Sequence, residues 1–188
     1  MIRSKAEYAA YLEADRVALE RRRTLSALLM DDVWKFQRSL RRLEYLINCD
    51  GNAFLILIVK AYLSRLGARL GFSIPPNVFG PGLSIAHYGT IVVNQGARVG
   101  ANCRIHAGVN VGTAAGHSDA APTVGDNCYI APGAKVFGAI TIGPGTVIGA
   151  NAVVNKSFPQ GGVTLGGIPA RVISEKGSKN LLPGMGAN

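Results

Sequence analysis

Chemistry in this chain would fall first to three histidines, His87, His106 and His117. Imidazole titrates near neutral pH and can accept a proton or ligate a metal. The three stand 19 and 11 residues apart, without the close pair that usually opens a zinc site. After residue 73 the only carboxylates are Asp119, Asp126 and Glu175. Asp126 follows Gly125 and reads as a turn residue, which leaves Asp119 as the acid that could orient an imidazole or a ligand hydroxyl. Cys49, Cys103 and Cys128 are too few and too dispersed for a disulfide framework.

These groups sit on a repeat. Val93, Val99, Ile105 and Val111 are each six residues apart, and after a gap of thirteen the ladder resumes with Val124, Ile130, Val136, Ile142, Ile148 and Val154. A second column four residues on is small or slim: Ala97, Cys103, Val109 and Ala115, then Cys128, Ala134, Ile140, Thr146 and Ala152. Neither a helical period nor plain alternation gives this spacing. A short strand and a turn per six residues does, and three such sides close an eighteen-residue coil. All but three of the 24 glycines lie beyond residue 72, where turns need small residues or positive φ. The long gap is one hexad plus seven residues, so an excursion leaves the coil within Thr113–Thr123. Cys103 and Cys128, 25 residues apart, share an inward column and read as small buried hydrophobes. His106 follows the rung Ile105, should point outward, and should stack near Tyr88. Counting back six from Val93 lands on His87 and would make it an inward rung, although Ile85 and Ile91 fit the other column.

Residues 1–72 read as a helical head. Ser4 and Glu7 make a capping box, but Asp15 and Arg16 interrupt the stripe begun by Tyr8, Tyr11 and Leu12. A second helix starts at Asp31 or Asp32 and buries Val33, Phe36, Leu40, Leu43 and Ile47, with Arg38, Arg41 and Arg42 opposite. A third runs from about Ala53 to Leu70, its apolar face packing on the other helices or a neighbouring subunit rather than lying on a membrane surface. The whole chain has 188 residues, 48% hydrophobic and only 16% charged, which excludes a disordered polyelectrolyte. The net charge is +9, yet the basic residues of the glycine-rich half are scattered without interleaved aromatics, so no nucleic-acid partner is expected. The charged start lacks a signal-peptide core, and Phe54 to Val59 is far shorter than the roughly 20 residues a transmembrane helix needs, so a cytoplasmic setting is the default.

The stretches GPGLSIAHYGTIVVNQGARVGANCRIHAGVNVGT, VGDNCYIAPGAKVFGAITIGPGTVIGANAVVNKSFP and GGIPARVI resemble the serine acetyltransferase family of hexapeptide acyltransferases. The resemblance spans residues 80–173. It implies a mainly β chain: a left-handed parallel β-helix over residues 73–174, after the head at 1–72 and before a flexible tail at 175–188. It further implies a homotrimer, with acetyl-CoA between adjacent prisms and the head able to join two trimers. His87 would be the general base that takes the proton of an acceptor hydroxyl, which is too weakly acidic to attack unaided. The thiol arm would meet Gly112, Pro132 and Ala150, an oxyanion would meet the Gly112–Thr113 backbone, and Lys156 and Arg171 would lie near the adenosine phosphates. No metal is expected.

The departures bear on the acceptor. Ser73 stands where the family carries an aspartate partner for its base, and Ala86 replaces the acid before the histidine. The family's DRHP is Asp119-Ala120-Ala121-Pro122 here, so a substrate carboxylate loses its guanidinium. A sugar hydroxyl on a polysaccharide precursor fits better, with Tyr88, His106 and Asp119 as binding residues, while His117 in the excursion reads first as solvent-exposed and second as a ligand contact. Serine acetylation for cysteine biosynthesis is the alternative. A non-catalytic trimeric scaffold and a prism-type zinc carbonic anhydrase are the competing classes.

Overall fold

The computed structural model describes residues 1–117 and 119–183. Four helices come first: α1 (Lys5–Ala18), α2 (Leu25–Met30), α3 (Asp32–Asn48) and α4 (Ala53–Leu70). In α3 the expected stripe is buried at Val33, Phe36, Leu40 and Leu43 but not at Ile47, which is exposed, and in α1 the buried residue is Asp15. Helix α2 has only six residues, too short to show a period, and starts where Thr24 accepts from Ala27 N. Ser4 caps α1 by accepting from Glu7 N, while the Glu7 carboxylate reaches Arg3 N rather than the cap's own N–H. Asp31 caps α3 through Trp34 N, and Gly71, at φ 80°, ends α4 in the left-handed conformation that costs glycine little.

Arg41 departs from expectation. Its spacing puts it on the polar face of α3, yet it is fully buried, because partners remote in sequence meet it there. Its guanidinium forks onto Asp15 at 2.8 and 3.1 Å and also donates to Glu44 at 2.9 Å. Two further bonds run to the Phe79 and Gly80 carbonyls. Asp15, an interruption of α1 by its spacing, accepts from Gly82 N and Leu83 N. Gln37 completes the clamp by donating to the Leu83 carbonyl and accepting from Ile85 N. Burial alone would lower the Arg41 pKa, but Asp15 and Glu44 outweigh it and raise the value.

The clamped segment opens the coil. A five-stranded parallel sheet runs β1 (Phe72–Ser73), β3 (Ile91–Val93), β6 (Asn110–Gly112), β9 (Lys135–Phe137), β12 (Val153–Val154). A three-stranded one holds β4 (Arg98–Val99), β7 (Thr123–Val124) and β10 (Thr141–Ile142). The last joins β2 (Ser84–Ile85), β5 (Arg104–Ile105), β8 (Tyr129–Ile130) and β11 (Val147–Ile148) to β13 (Thr164–Gly167) and an antiparallel β14 (Ala170–Ser174). Consecutive strands of the chain pass from sheet to sheet, and rungs pair with rungs: Ile130 with Ile148, Val136 with Val154, Val124 with Ile142. Every rung from Val93 to Val154 is buried, as are Cys103 and Cys128, both free thiols. Burial holds the Cys103 thiol well up and pushes Cys128 to about 11, which suits packing rather than nucleophilic work. Glycine at 143 is obligatory, since an added Cβ would lie 2.4 Å from Gly161 N and Pro159 O.

The segment expected to be a flexible tail is docked as far as it is described. Ser178 is buried, bonds through its N–H to the Gly145 carbonyl and through its hydroxyl to that of Asn127, and Leu182 is buried beyond it. The tail residues 184–188 lie outside the described residues.

Candidate active site

The chain takes eight residues from Ile85 to the rung Val93, where a later hexad takes six. Ile85 pairs with Ile105, twenty positions on, whereas Val93 pairs with Val111, eighteen on. The rung is therefore Ile85, fully buried, and His87 is carried out of the column on the enlarged turn, exposed next to Tyr88. Simple counting from Val93 misses this because it assumes a constant coil.

The same expansion sets the neighbours. Ala86 N donates to the Ile105 carbonyl, so His87 comes over His106, with ring centroids 6.3 Å apart. His106, expected to point outward, is largely covered. It is only 9% exposed, its ring lies 4.9 Å from that of Tyr129, and its Nε2 is buried without a hydrogen-bond partner. Burial first, then the charges of Arg104 and His87, bring its pKa down to about 4, so the ring is neutral at pH 7.

The turn carrying His87 is the foot of a stack. A Cβ on Gly89 would lie 3.0 Å from that of Ala107, Gly133 N donates to the Ala107 carbonyl, and Asn151 N donates to that of Pro132. Ala107, Pro132 and Ala150 thus follow His87 up one corner of the coil. Ala150 is three layers on, roughly 14 Å at the usual strand spacing. Gly112, Thr113 and Lys156 gather instead at the opposite end of the strands of the five-stranded sheet, with Phe137 and Gly138 between them. The face of Gly112 is open: a Cβ there would meet only Asn110 Oδ1, at 3.5 Å. Lys156 is exposed above the Phe158 ring, and Arg171 is exposed on β14.

His117 and Asp119 are exposed in the excursion and do not line the cavity at His87. The carboxylates near His87 come from the head. A cavity of about 650 Å³ is lined by His87 and Tyr88 on one side and by Arg21, Asp31, Asp32 and Arg69 on the other. Sequence reasoning assigns Asp31 or Asp32 only a capping role and Arg69 only a polar edge. The available signal was two successive acids where a helix start needs one. Ser73, in the place of the family's aspartate, is exposed on β1. Among the described residues no cluster of side chains is arranged to hold a metal ion, and no helix is long and apolar enough to cross a membrane.

The stack of hexad coils with this corner is accompanied by a match of the family model for the bacterial transferase hexapeptide over residues 121–156. Beyond that match, the chain is similar to serine acetyltransferases. It is 39% identical over 127 residues to the serine acetyltransferase of Staphylococcus xylosus, covering 64% of this chain and 58% of that protein. For the enzyme of Mycobacterium tuberculosis the figures are 40% over 121 residues, 63% and 52%. The chain thus spans about half the length of the curated relatives it matches. The Brucella abortus serine acetyltransferase in complex with coenzyme A superposes with TM-score 0.77 at 29% identity, over 92% of this chain and 70% of that one. The Neisseria gonorrhoeae enzyme in complex with serine gives 0.73 at 27%, over 91% and 71%.

Proposed function

We propose that the chain is an acetyl-CoA-dependent O-acetyltransferase working as a homotrimer of left-handed coils, with His87 as general base. The reading divides the chain into a head at 1–72, an acyltransferase coil at 73–174 and a terminal segment at 175–188, in a cytoplasmic setting. One observation carries it: an exposed imidazole at the foot of a turn stack whose upper layers hold Pro132 and Ala150, in a chain similar to enzymes that bind coenzyme A. An extended thioester arm fits along such a corner. His87 takes the acceptor's proton as the hydroxyl oxygen bonds to the acetyl carbonyl carbon; the C–S bond breaks, and that proton is available to the departing sulfur. Gly112 and Thr113 of a neighbouring copy would offer backbone N–H groups to the carbonyl oxygen, with Lys156 and Arg171 toward the phosphates. The exposed Phe54, Leu57 and Ile58 on α4 support pairing of two trimers through their heads.

For the acceptor, the relatives' names favour serine over a sugar. The residues of this chain favour a sugar hydroxyl, as on a surface-polysaccharide precursor, since Ala120 and Ala121 supply neither guanidinium nor imidazole. Release of the free thiol from acetyl-CoA, followed across serine and sugar acceptors, tests the reaction. His87→Asn should lower kcat by about 100-fold or more while coenzyme A binding holds; an unchanged kcat overturns the mechanism.

A further inference from the structure

We propose that the cavity between His87 and the start of α3 is the acceptor site, and that it takes a neutral, polyhydroxylated acceptor of the hexose type. This rests on the transferase reading above and adds the side chains that recognise the acceptor.

Size comes first. About 650 Å³ is far more than a three-carbon amino acid fills and lies within the span of pockets that hold larger ligands. The charge pattern narrows the class. Arg21 Nε lies 2.5 Å from Asp31 Oδ2, and Asp32 stands 2.5 Å from the Arg69 guanidinium and 2.9 Å from Lys35 Nζ. Among the lining side chains two guanidiniums face two carboxylates, with Lys35 outside the lining sharing Asp32, so the wall itself presents balanced charge to a ligand. It offers alternating acceptors and forked donors, the pattern that neighbouring hydroxyls satisfy in both directions. Tyr88, 73% exposed, also lines the cavity and supplies an aromatic ring on which the C–H face of a sugar could stack. His87 forms part of the same wall, where it can reach a hydroxyl of whatever the cavity holds.

The test uses the full chain with acetyl-CoA as donor. Glucose, galactose, N-acetylglucosamine and cellobiose are compared with UDP-glucose, UDP-galactose and L-serine. At least one neutral sugar should exceed serine and both UDP-hexoses tenfold in kcat/KM. Asp32→Asn and Arg69→Gln should raise its KM tenfold or more while the KM for acetyl-CoA stays within twofold. Asp31→Asn, which keeps the helix cap, should behave alike and guards against simple misfolding. Preference for serine or a UDP-hexose overturns the ligand class, and an unmoved acceptor KM in these variants overturns the site. If no acetyl group moves, saturation-transfer NMR of the same neutral sugars on the coenzyme A-loaded protein decides. A sugar signal that disappears in Asp32→Asn supports the site; a signal that persists there, or no signal in the parent protein, overturns it. Failure of the transferase reading looks different, since His87→Asn would then leave kcat unchanged or coenzyme A would not bind.

Discussion

His87 and His106, two imidazoles with centroids 6.3 Å apart, sit in opposite environments, and each environment sets what its ring can do. His87 meets solvent, whereas His106 is held neutral by burial. The linkage has a definite sign. The folded-state pKa of His106 is about 4, below the unfolded value near 6.5, so between these the unfolded chain binds more protons. Stability is whole above about pH 6.5 and falls as the pH drops toward 4, by on the order of 3 kcal/mol at most. Denaturant midpoints measured across that window should show the loss, and His106→Leu should flatten it. The thiols give a second prediction. Cys103 and Cys128 are buried with raised pKa values while Cys49 is half-buried, so a thiol reagent should label Cys49 alone in the native protein. All three should react in denaturant.

At the scale of elements, the rungs and the clamp differ in how they stabilise and in how visible they were. Ile130 is fully buried between Ile105 and Ile148, so Ile130→Ala should cost about 2–5 kcal/mol in chemical denaturation. Its role follows from spacing alone. The Arg41 clamp could not be read that way, because an apolar stripe assigns charged residues to solvent and says nothing of an aspartate 26 positions earlier. Breaking it by Arg41→Met leaves Asp15 and Glu44 buried without their cation, at about 3–5 kcal/mol. The loss should centre on residues 79–85, read as faster amide exchange there, because Arg41, Asp15 and Gln37 hold that segment. The short helix α2 escaped notice for a different reason: six residues are too few to display a period.

For the whole molecule, the decisive fact is that one chain keeps its two candidate groups at opposite ends of the five-stranded sheet. His87 and Ala150 follow one edge, Gly112 and Lys156 the other. The proposed trimer would join the edge of one copy to that of the next, and sedimentation should then give three times 19.7 kDa. Mixed trimers of His87→Asn with Gly112→Val should regain activity that neither variant has alone, since some interfaces then pair an intact His87 with an intact Gly112. Inactive mixtures would place the site within one copy.

The hexad ladder, the inward cysteines, the excursion after Gly112 and the bounds of α4 were all legible in the sequence. Each depends on short-range spacing, and in a coil every rung rests only on neighbours one turn away. The exit of His87 from the rung column, the burial of His106 and Arg41, and the cavity that sets Asp31 and Asp32 beside His87 were decided by tertiary structure. Those features arise where the helical head closes on the first coil, and contacts between segments tens of residues apart leave no period in the chain.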